Sequence, residues 1–513
     1  MANPIKQLAG ETAIYGLSTI LARIINFIFV PFYTRLLTTE SYGVVTEFMA
    51  YIAVFQVVLV LGLETGCFKF ANAKDANPKA VYSNALLAVS SLGLAFLLLI
   101  LAFSGNIASL LGYAGSEVIV KCIAGILFMD SVTAILFAKL RQEHKAFKFA
   151  IFKTIKIITE LGANIVLFLS FPKSSGALDG TSPLLTFIPA TPDFSYVIFA
   201  IFISCIVGTV LFIPTLLKFK FQCDKALLYR MLSYSLPLMI AALPGVINDF
   251  ADRILFRFFD TNSIQWRSNL GIFQAAVKLS VIMSLFIQMF RFAAEPFFFQ
   301  RAEDKGSKEL YAKVMNYFTA FCGLVFLGII LYIDVISLIL GRDFRVGIGI
   351  VPIMLLSYMF LGMLFNVSMW YKLSGKTSVA IYITLSGLLV TILVNVIFMP
   401  MFSYWAAAVG HLLSYLVMFL ISAYLGQKYY PIPYQWKKLG AVILGMLGLY
   451  GLSMFIDSQC FPSRDFINSS FASNIPMLLV HTALICVYLV FVYFMVTSKN
   501  SPSLKNKNIN VDK

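Results

Sequence analysis

Cationic side chains inside long apolar segments are the residues of this sequence with the most definite chemistry. Arg23, Lys278 and Arg291 each lie in an apolar run long enough to cross a membrane. A charge at the centre of a bilayer costs at least about 2.5–3.5 kcal/mol, so each needs a partner or a function. Guanidinium binds phosphate through a planar fork and ammonium as a point charge. These residues therefore predict binding of an anionic, phosphate-bearing substrate.

The first apolar segment carries a polar stripe. Tyr15, Thr19, Arg23 and Asn26 are separated by four, four and three residues, which places them on one side of a helix. Such a stripe must face protein or water, because contact with lipid would be costly. Arg23 is either a cavity cation or one half of an ion pair with an acid on a neighbouring helix.

The segment 268–297 carries the widest polar stripe. Its members fall within an arc of about 140° and are Gln274, Lys278, Ser284, Gln288, Arg291 and Glu295. Lys278 and Arg291 are about 20 Å apart along the helix axis. Two cations at different depths on one face predict a track for an anion. The alternative pairs Arg291 with Glu295, and Lys278 with Asp249 or Asp252.

Lys153 and Lys156 in the segment 147–171 are predicted as two further substrate ligands. Both also have structural interpretations. Lys153 is close enough to the cytoplasmic end to extend its amine to the interface. Lys156 and Glu160 are four residues apart and could form an ion pair along the helix.

Acidic residues inside the apolar segments are candidates for ion coupling or for structural ion pairs. Asp130 has no basic residue three or four positions away, so it either carries a proton or pairs with Arg23. Asp249 and Arg253 are four residues apart and are predicted to pair. The complete candidate set for these two roles is Asp130, Glu160, Asp252 and Arg253.

Composition explains why these charges are exceptional. The chain has 513 residues, of which 60% are hydrophobic and 12% charged, and its mean hydropathy is +0.87. Soluble domains are about 45–50% apolar and about 25% charged, so a soluble enzyme, an all-β sandwich and a disordered scaffold are excluded. Apolar runs such as 80–103 and 474–497 lack the alternation of barrel strands and predict helices.

We predict an all-α, polytopic membrane protein with about fourteen transmembrane helices. Their predicted ranges are 12–37, 42–66, 80–103, 117–138, 147–171, 194–217, 231–258, 268–297, 314–341, 346–371, 378–401, 404–426, 437–456 and 474–497. Two six-helix lobes, 1–217 and 231–426, are expected around a central cavity. A cytoplasmic linker (218–230), two peripheral helices (427–497) and a basic cytoplasmic tail (498–513) complete the domain plan.

The distribution of basic residues predicts the orientation. With both termini in the cytoplasm, cytoplasmic segments hold 25 of the 39 Lys and Arg residues and outer segments hold seven. This is a strong positive-inside signal, and it predicts a multi-pass protein of the cytoplasmic (inner) membrane. The net charge of +15 is spread over cytoplasmic loops, so nucleic acid is not an expected partner.

Motifs for catalysis or cofactor binding are missing from the sequence. Its seven Cys residues form no CxxC pair and its three His residues do not cluster, so no metal site is expected. It contains no P-loop, GxSxG or glycine-rich dinucleotide motif. We therefore expect a transporter with no cofactor and no enzymatic activity.

Two parts of the chain resemble a known family. They are Thr12 to Arg23 with Pro31 to Tyr42-Gly43, and Ser235-Leu-Pro237, Asn248-Asp-Phe-Ala-Asp252-Arg253, Gly271-Ile-Phe, Lys278 and Ala294-Glu-Pro296. The sequence is similar here to the oligosaccharide-flippase (Wzx-type) branch of the multidrug/oligosaccharidyl-lipid/polysaccharide exporter superfamily. The resemblance covers roughly 1–430. The family's Gly-Ile-Tyr pattern is Gly271-Ile-Phe in this chain.

The resemblance implies alternating access around a cationic cavity. The implied substrate is a polyprenyl-diphosphate-linked oligosaccharide, passed from the inner to the outer leaflet for cell-surface polysaccharide synthesis. Arg23 would be the first-helix cavity cation, and Lys278 and Arg291 would be those of the second lobe. Membrane lipids are implied partners, and coupling to a proton or sodium ion is left open.

Two other transport functions remain alternatives. A cation-coupled drug or small-molecule exporter of the same superfamily would be expected to place acids in its cavity. A lipid-II flippase for peptidoglycan would use the same phosphate chemistry. A membrane-embedded polymerase fits less well, because the longest outer loop, 172–193, contains only three charged residues, Lys173, Asp179 and Asp193.

The predicted orientation can be tested by cysteine accessibility. In intact cells, a membrane-impermeant thiol reagent is expected to label Ser175→Cys in the outer loop and not Lys505→Cys in the C-terminal tail. Labelling of position 505 from outside would contradict the predicted number of spans.

Overall fold

The computed structural model describes residues 20–497 except 22, 74–76, 171–191, 218, 220–221, 262–264, 302–303 and 462–473. Across these residues the chain forms helices joined by short connections, and they include no strand. The predicted all-α class is confirmed.

Fourteen longer helices of the described residues follow one another in the order predicted from hydropathy, and we number them α1 to α14; a short helix, Ser104–Leu110, lies between the third and the fourth. They are α1 (helical residues in 20–28, then Val30–Leu36), α2 (Thr39–Ala71), α3 (Pro78–Ala102), α4 (Glu117–Gln142), α5 (Ala146–Ile165), α6 (Phe194–Leu217), α7 (Lys225–Phe259), α8 (Trp266–Gln300), α9 (Ser307–Ile330), α10 (Arg342–Leu373), α11 (Val379–Phe402), α12 (Tyr404–Tyr429), α13 (Trp436–Cys460) and α14 (Ile475–Thr497). Of these, all but α1 and α5 are long and apolar enough within the described residues to cross a membrane. The helix α5 is more polar because it contains three lysines and Glu160.

Local sequence signals explain where several helices begin. The side chain of Thr38 accepts a hydrogen bond from the backbone N–H of Ser41 and caps α2. Asn77 caps α3 in the same way, with Pro78 as its first residue, and Asp224 caps α7. These side chains satisfy N–H groups that have no partner within the helix. The helix α7 then continues through Pro237 and Pro244, each of which removes one backbone hydrogen bond.

The largest difference between a predicted and a described helix end lies in α9. The ninth segment was expected to extend over 314–341, but α9 ends at Ile330 and is followed by the short helices Ile333–Ile336 and Ser337–Ile339. Hydropathy does not reveal a helix end that lies inside an apolar run.

The helix α2 consists of two helical parts separated by an interruption. Leu61 and Gly62 both adopt left-handed backbone conformations, with φ of 56° and 66°, and separate Thr39–Val60 from Leu63–Ala71. A β-carbon at position 62 would lie 2.6 Å from the carbonyl oxygen of Ser235 on α7. Glycine is therefore required here both for its backbone conformation and for the close approach of α7.

Helix packing connects the two halves of the chain through α2. Within the N-terminal half, α4 packs on α3 and α6, and α6 packs on α5. Within the C-terminal half, α12 packs on α10 and α11, and α11 packs on α7. The helix α2 packs extensively on both α7 and α8, whereas α13 and α14 pack on α9 and on each other. The lobe boundaries at residues 217 and 231 stay a prediction.

A partly buried ion pair joins α4 to α5. The amine of Lys156 lies 2.5 Å from a carboxylate oxygen of Asp130, and the thiol of Cys205 on α6 lies 3.3 Å from the same oxygen. The predicted pairs Asp130–Arg23 and Lys156–Glu160 are therefore wrong. The hypothesis that Asp130 carries a proton loses its basis, because that hypothesis assumed a carboxylate without a cation.

The other two charged candidates on α5 lie apart from this pair. The amine of Lys153 is 5.5 Å from the ring centres of Phe137 and Phe149, an arrangement that favours a cation over aromatic faces. Glu160 is half-buried and has no ion-pair partner within 4 Å among the residues that the structure describes. Sequence spacing alone could not distinguish a partner on the same helix from one on α4.

The Asp130–Lys156 pair predicts a specific stability pattern. Asp130→Asn leaves the Lys156 ammonium without its counter-charge, so we expect a loss of about 3 kcal/mol of stability. Combining it with Lys156→Met removes both charges and should recover most of that loss. Thermal unfolding of the purified protein in detergent measures both effects, with Lys153→Met as the control. An unchanged single variant would contradict a stabilising pair.

Candidate functional site

A cavity of about 660 Å³ lies between α1, α2, α7, α8, α10 and α12. Four cationic side chains line it, and they come from three helices: Arg23 from α1, Arg253 from α7, and Lys278 and Arg291 from α8. The only carboxylate in its lining, within the described residues, is that of Asp249. The cavity therefore has a clear excess of positive charge.

The polar stripe predicted on α8 faces this cavity. Gln274, Lys278, Ser284, Gln288 and Arg291 all line it, whereas the side chain of Glu295 lies outside the described residues. Exposure rises along the stripe, from buried Gln274 through half-buried Lys278 to exposed Arg291. This gradient indicates that the cavity opens toward the Arg291 end of α8.

The stripe predicted on α1 faces the same cavity where it is described. Arg23 and Asn26 both line the cavity, and Tyr15 and Thr19 lie outside the described residues. By contrast, Lys153 and Lys156 do not contribute to the lining. Of the five predicted substrate ligands, the structure thus brings together Arg23, Lys278 and Arg291.

Three of the cavity cations have no acidic partner in the described part of the chain. Arg23, Arg253 and Lys278 form no ion pair within 4 Å, and the buried Nε of Arg253 makes no hydrogen bond there. Arg253 lies 4.5 Å from the ring centre of Phe250, and Arg291 lies 4.7 Å from that of Phe365. Aromatic faces support a cation but do not neutralise its charge.

The acids on α7 have partners other than those predicted. Asp249 accepts a hydrogen bond of 2.8 Å from the hydroxyl of Tyr415 and forms no ion pair within 4 Å among the described residues, so the predicted Asp249–Arg253 pair is wrong. Asp252 is fully buried, accepts a 3.3 Å hydrogen bond from Gln274, and lies 3.6 Å from Nε2 of His411. The predicted pairing of Lys278 with Asp249 or Asp252 is therefore also wrong.

Sequence reasoning missed three polar side chains of the lining. Tyr358 on α10, and His411 and Tyr415 on α12, face the cavity. His411 and Tyr415 are four residues apart in an otherwise apolar helix, so their common face was readable from the sequence. They were missed because His411 was considered only as a metal ligand. No group of three or more potential metal-binding side chains occurs in the described residues.

This arrangement is suited to binding a multivalent anion. A guanidinium on each of α1 and α7 and an ammonium on α8 can approach one ligand from three helices. Charge-assisted hydrogen bonds of this kind are about twice as strong as neutral ones. The remaining lining includes apolar side chains such as Met354 and Leu361 and neutral polar groups such as Ser284 and Gln288.

Comparison with solved structures places the fold among membrane transporters. A structure of the lipid II flippase MurJ in an inward closed conformation shares 14% identity, with a TM-score of 0.70 over 93% of this chain and 98% of that chain. An inward-facing multidrug resistance MATE family transporter of the MOP superfamily shares 14% identity, with a TM-score of 0.56 over 81% of this chain and 94% of that chain. At these identities the likeness concerns the fold.

Sequence comparison identifies the family. No curated protein sequence matches the chain. The sequence profile described as "Polysaccharide biosynthesis protein" matches residues 8–301, which is more than half of the chain and includes α1, α2, α7 and α8. The chain belongs to the polysaccharide biosynthesis protein family and has the fold of the MOP exporter superfamily.

Proposed function

We propose that this protein moves a polyprenyl-diphosphate-linked oligosaccharide from the inner to the outer leaflet of the cytoplasmic membrane by alternating access. The family and the fold are those of membrane flippases and exporters. The observation that carries the proposal is the set of three cations, Arg23, Arg253 and Lys278, that face one cavity and form no ion pair within 4 Å in the described residues.

The unpaired cations argue for an anionic headgroup. Uncompensated charges of one sign in a shared cavity repel one another and are costly to keep away from water. A diphosphate relieves that repulsion and offers enough oxygen atoms to accept hydrogen bonds from Arg23, Arg253 and Lys278 together. A neutral or cationic cargo would leave the charges of the cavity uncompensated.

The remaining lining suits the other parts of such a substrate. Ser284 and Gln288 lie between Lys278 and Arg291 on α8 and offer hydroxyl and amide groups to sugar hydroxyls. Arg291 provides a further cation near the end toward which the cavity opens. We propose that the polyprenyl tail stays in the lipid beside the cavity.

Two alternatives differ in how well they fit the cavity. A drug exporter for cationic compounds is disfavoured, because four cations and one carboxylate line the cavity in the described residues. Lipid II contains the same diphosphate, so the cations do not discriminate against it, and only the family match favours a polysaccharide precursor. An inside-negative potential would favour outward movement of an anion by about 2.3 kcal/mol per charge per 100 mV. Exchange for a proton or a sodium ion would be an additional energy source.

Substitution of the cavity cations tests the proposal. Arg23→Ala, Arg253→Ala and Lys278→Ala are each expected to weaken binding of a polyprenyl-diphosphate oligosaccharide about 10- to 100-fold, since each loses a charge-assisted contact worth about 1.5–3 kcal/mol. Arg253→Lys should recover only part of the affinity, because ammonium lacks the bidentate fork. Binding to purified protein in detergent is the measurement.

The matched control is Lys153→Ala, which removes a cation from the membrane region but not from the cavity. It should bind like the parent protein. Competition with inorganic diphosphate separates headgroup recognition from tail binding. If diphosphate fails to compete, or if Arg23→Ala, Arg253→Ala and Lys278→Ala all bind as tightly as Lys153→Ala, the cavity cations are not the headgroup site. Competition between the oligosaccharide lipid and lipid II would then distinguish the two candidate substrates.

A further inference from the structure

We propose that Glu47 and Arg257 form a lock that closes the outer end of the cavity and must separate for the cargo to leave. This inference rests on the proposed transport function for its purpose. Its geometry comes from residues outside the cavity. Glu47 lies on α2 in the N-terminal half of the chain, and Arg257 lies on α7 in the C-terminal half.

Glu47 is the most completely buried carboxylate at this end. Its side chain is 0% exposed, although α2 is otherwise apolar enough to cross a membrane. The guanidinium of Arg257 contacts Oε1 at 2.6–2.7 Å, and the hydroxyls of Tyr51 and Tyr113 donate to the two oxygens at 3.0 and 2.5 Å. A buried carboxylate is stable only with this degree of compensation.

The cationic donors and their acceptors lie in different halves of the chain. Arg257 also donates to the carbonyl oxygen of Leu111 at 2.6 Å, and Arg267 donates to that of Gly112 at 3.0 Å. The indole of Trp266 lies 5.0 Å from each guanidinium. All these cations belong to α7 and α8, and the anion and carbonyls belong to the N-terminal half. If the two halves separated, Glu47 and the arginines Arg257 and Arg267 would therefore become accessible to water. The contacts within each half would not have to break.

The helices at this position are in backbone contact. A β-carbon at Gly43 would collide with the backbone of Arg267, and one at Gly271 would collide with that of Thr39. Beside them the hydroxyls of Thr39 and Ser268 lie 2.6 Å apart. The α2–α8 contact therefore seals the bundle next to the lock. In the predicted orientation both helices begin at the outer face of the membrane, so this seal closes the outer side.

The two helices that form the lock, α2 and α7, also contribute residues to the cavity lining. Arg253, which lines the cavity, and Arg257 are one helical turn apart on α7. On α2, Met49 lines the cavity only two residues from Glu47. An anion that repositions Arg253 thus acts on the helix that carries the lock cation.

The first test measures access to the cavity from outside. In Ser284→Cys, a membrane-impermeant maleimide reports whether the cavity is reachable, and unsubstituted protein corrects for labelling of the native thiols. We expect Glu47→Gln to raise the outside labelling rate at least tenfold. The matched control Glu40→Gln should change it less than twofold, because the Glu40–Arg267 pair is longer, at 3.5 Å, and the Glu40 side chain is 58% exposed. Equal labelling of both variants would overturn the proposal.

The second test closes the seal covalently and does not depend on a folded Glu47 variant. Thr39→Cys with Ser268→Cys should form a disulfide under oxidation, given the 2.6 Å between the parent hydroxyl oxygens. Cross-linked protein should lose transport at least tenfold while keeping its affinity for the lipid-linked substrate, and reductant should restore transport. Full transport by the cross-linked form would overturn the proposal.

The two readouts separate this inference from the proposed function. Increased outside labelling in Glu47→Gln supports the lock whatever the cargo is. If that increase occurs while lipid-linked oligosaccharide is neither bound nor transported, the lock stands and the proposed substrate is wrong. If the increase appears only in inside-out vesicles, the lock is at the cytoplasmic face and its placement at the outer side is overturned.

Discussion

The cost of keeping charge away from water organises this structure. Several cations in the membrane region are placed in one of two ways: Lys156 pairs with Asp130, whereas Arg23 and Lys278 face the central cavity. Paired charges connect neighbouring helices, whereas the cations without an ion pair line the cavity in which we propose that an anion binds. The same cost therefore accounts for the ion pairs between helices and for the selectivity that we propose for the cavity.

Three helices contain most of the charged residues whose placement this cost determines. The helix α8 presents a graded polar face to the cavity, α7 bears both a cavity cation and the Arg257 lock cation, and α2 supplies the buried Glu47. Because α2 packs on both α7 and α8, the binding site and the seal share the same contacts. We therefore expect a movement of α2 relative to α7 and α8 to affect both.

Predictions from the sequence succeeded where the information lies within one helix. The stripe from Gln274 to Arg291 follows from the 3.6-residue period, and the structure places its described members on the cavity. Predictions failed where the answer depended on a second helix. Lys156 pairs with an acid 26 positions earlier rather than with Glu160, and Glu47 meets a cation 210 positions later. Spacing along one helix carries no information about such partners. Glu47 was nonetheless detectable as a candidate, because it is an acid within an apolar segment.

The Asp130–Lys156 pair has a consequence for how the chain enters the membrane during synthesis. With three lysines and a glutamate, α5 is poorly suited to partition from the translocon into lipid by itself, since each lysine at depth costs about 2.5–3.5 kcal/mol. Its predecessor α4 carries the counter-charge and is connected to it by only residues 143–145. We therefore expect the two helices to leave the translocon together as a neutralised hairpin, so that insertion of α5 depends on Asp130 of α4.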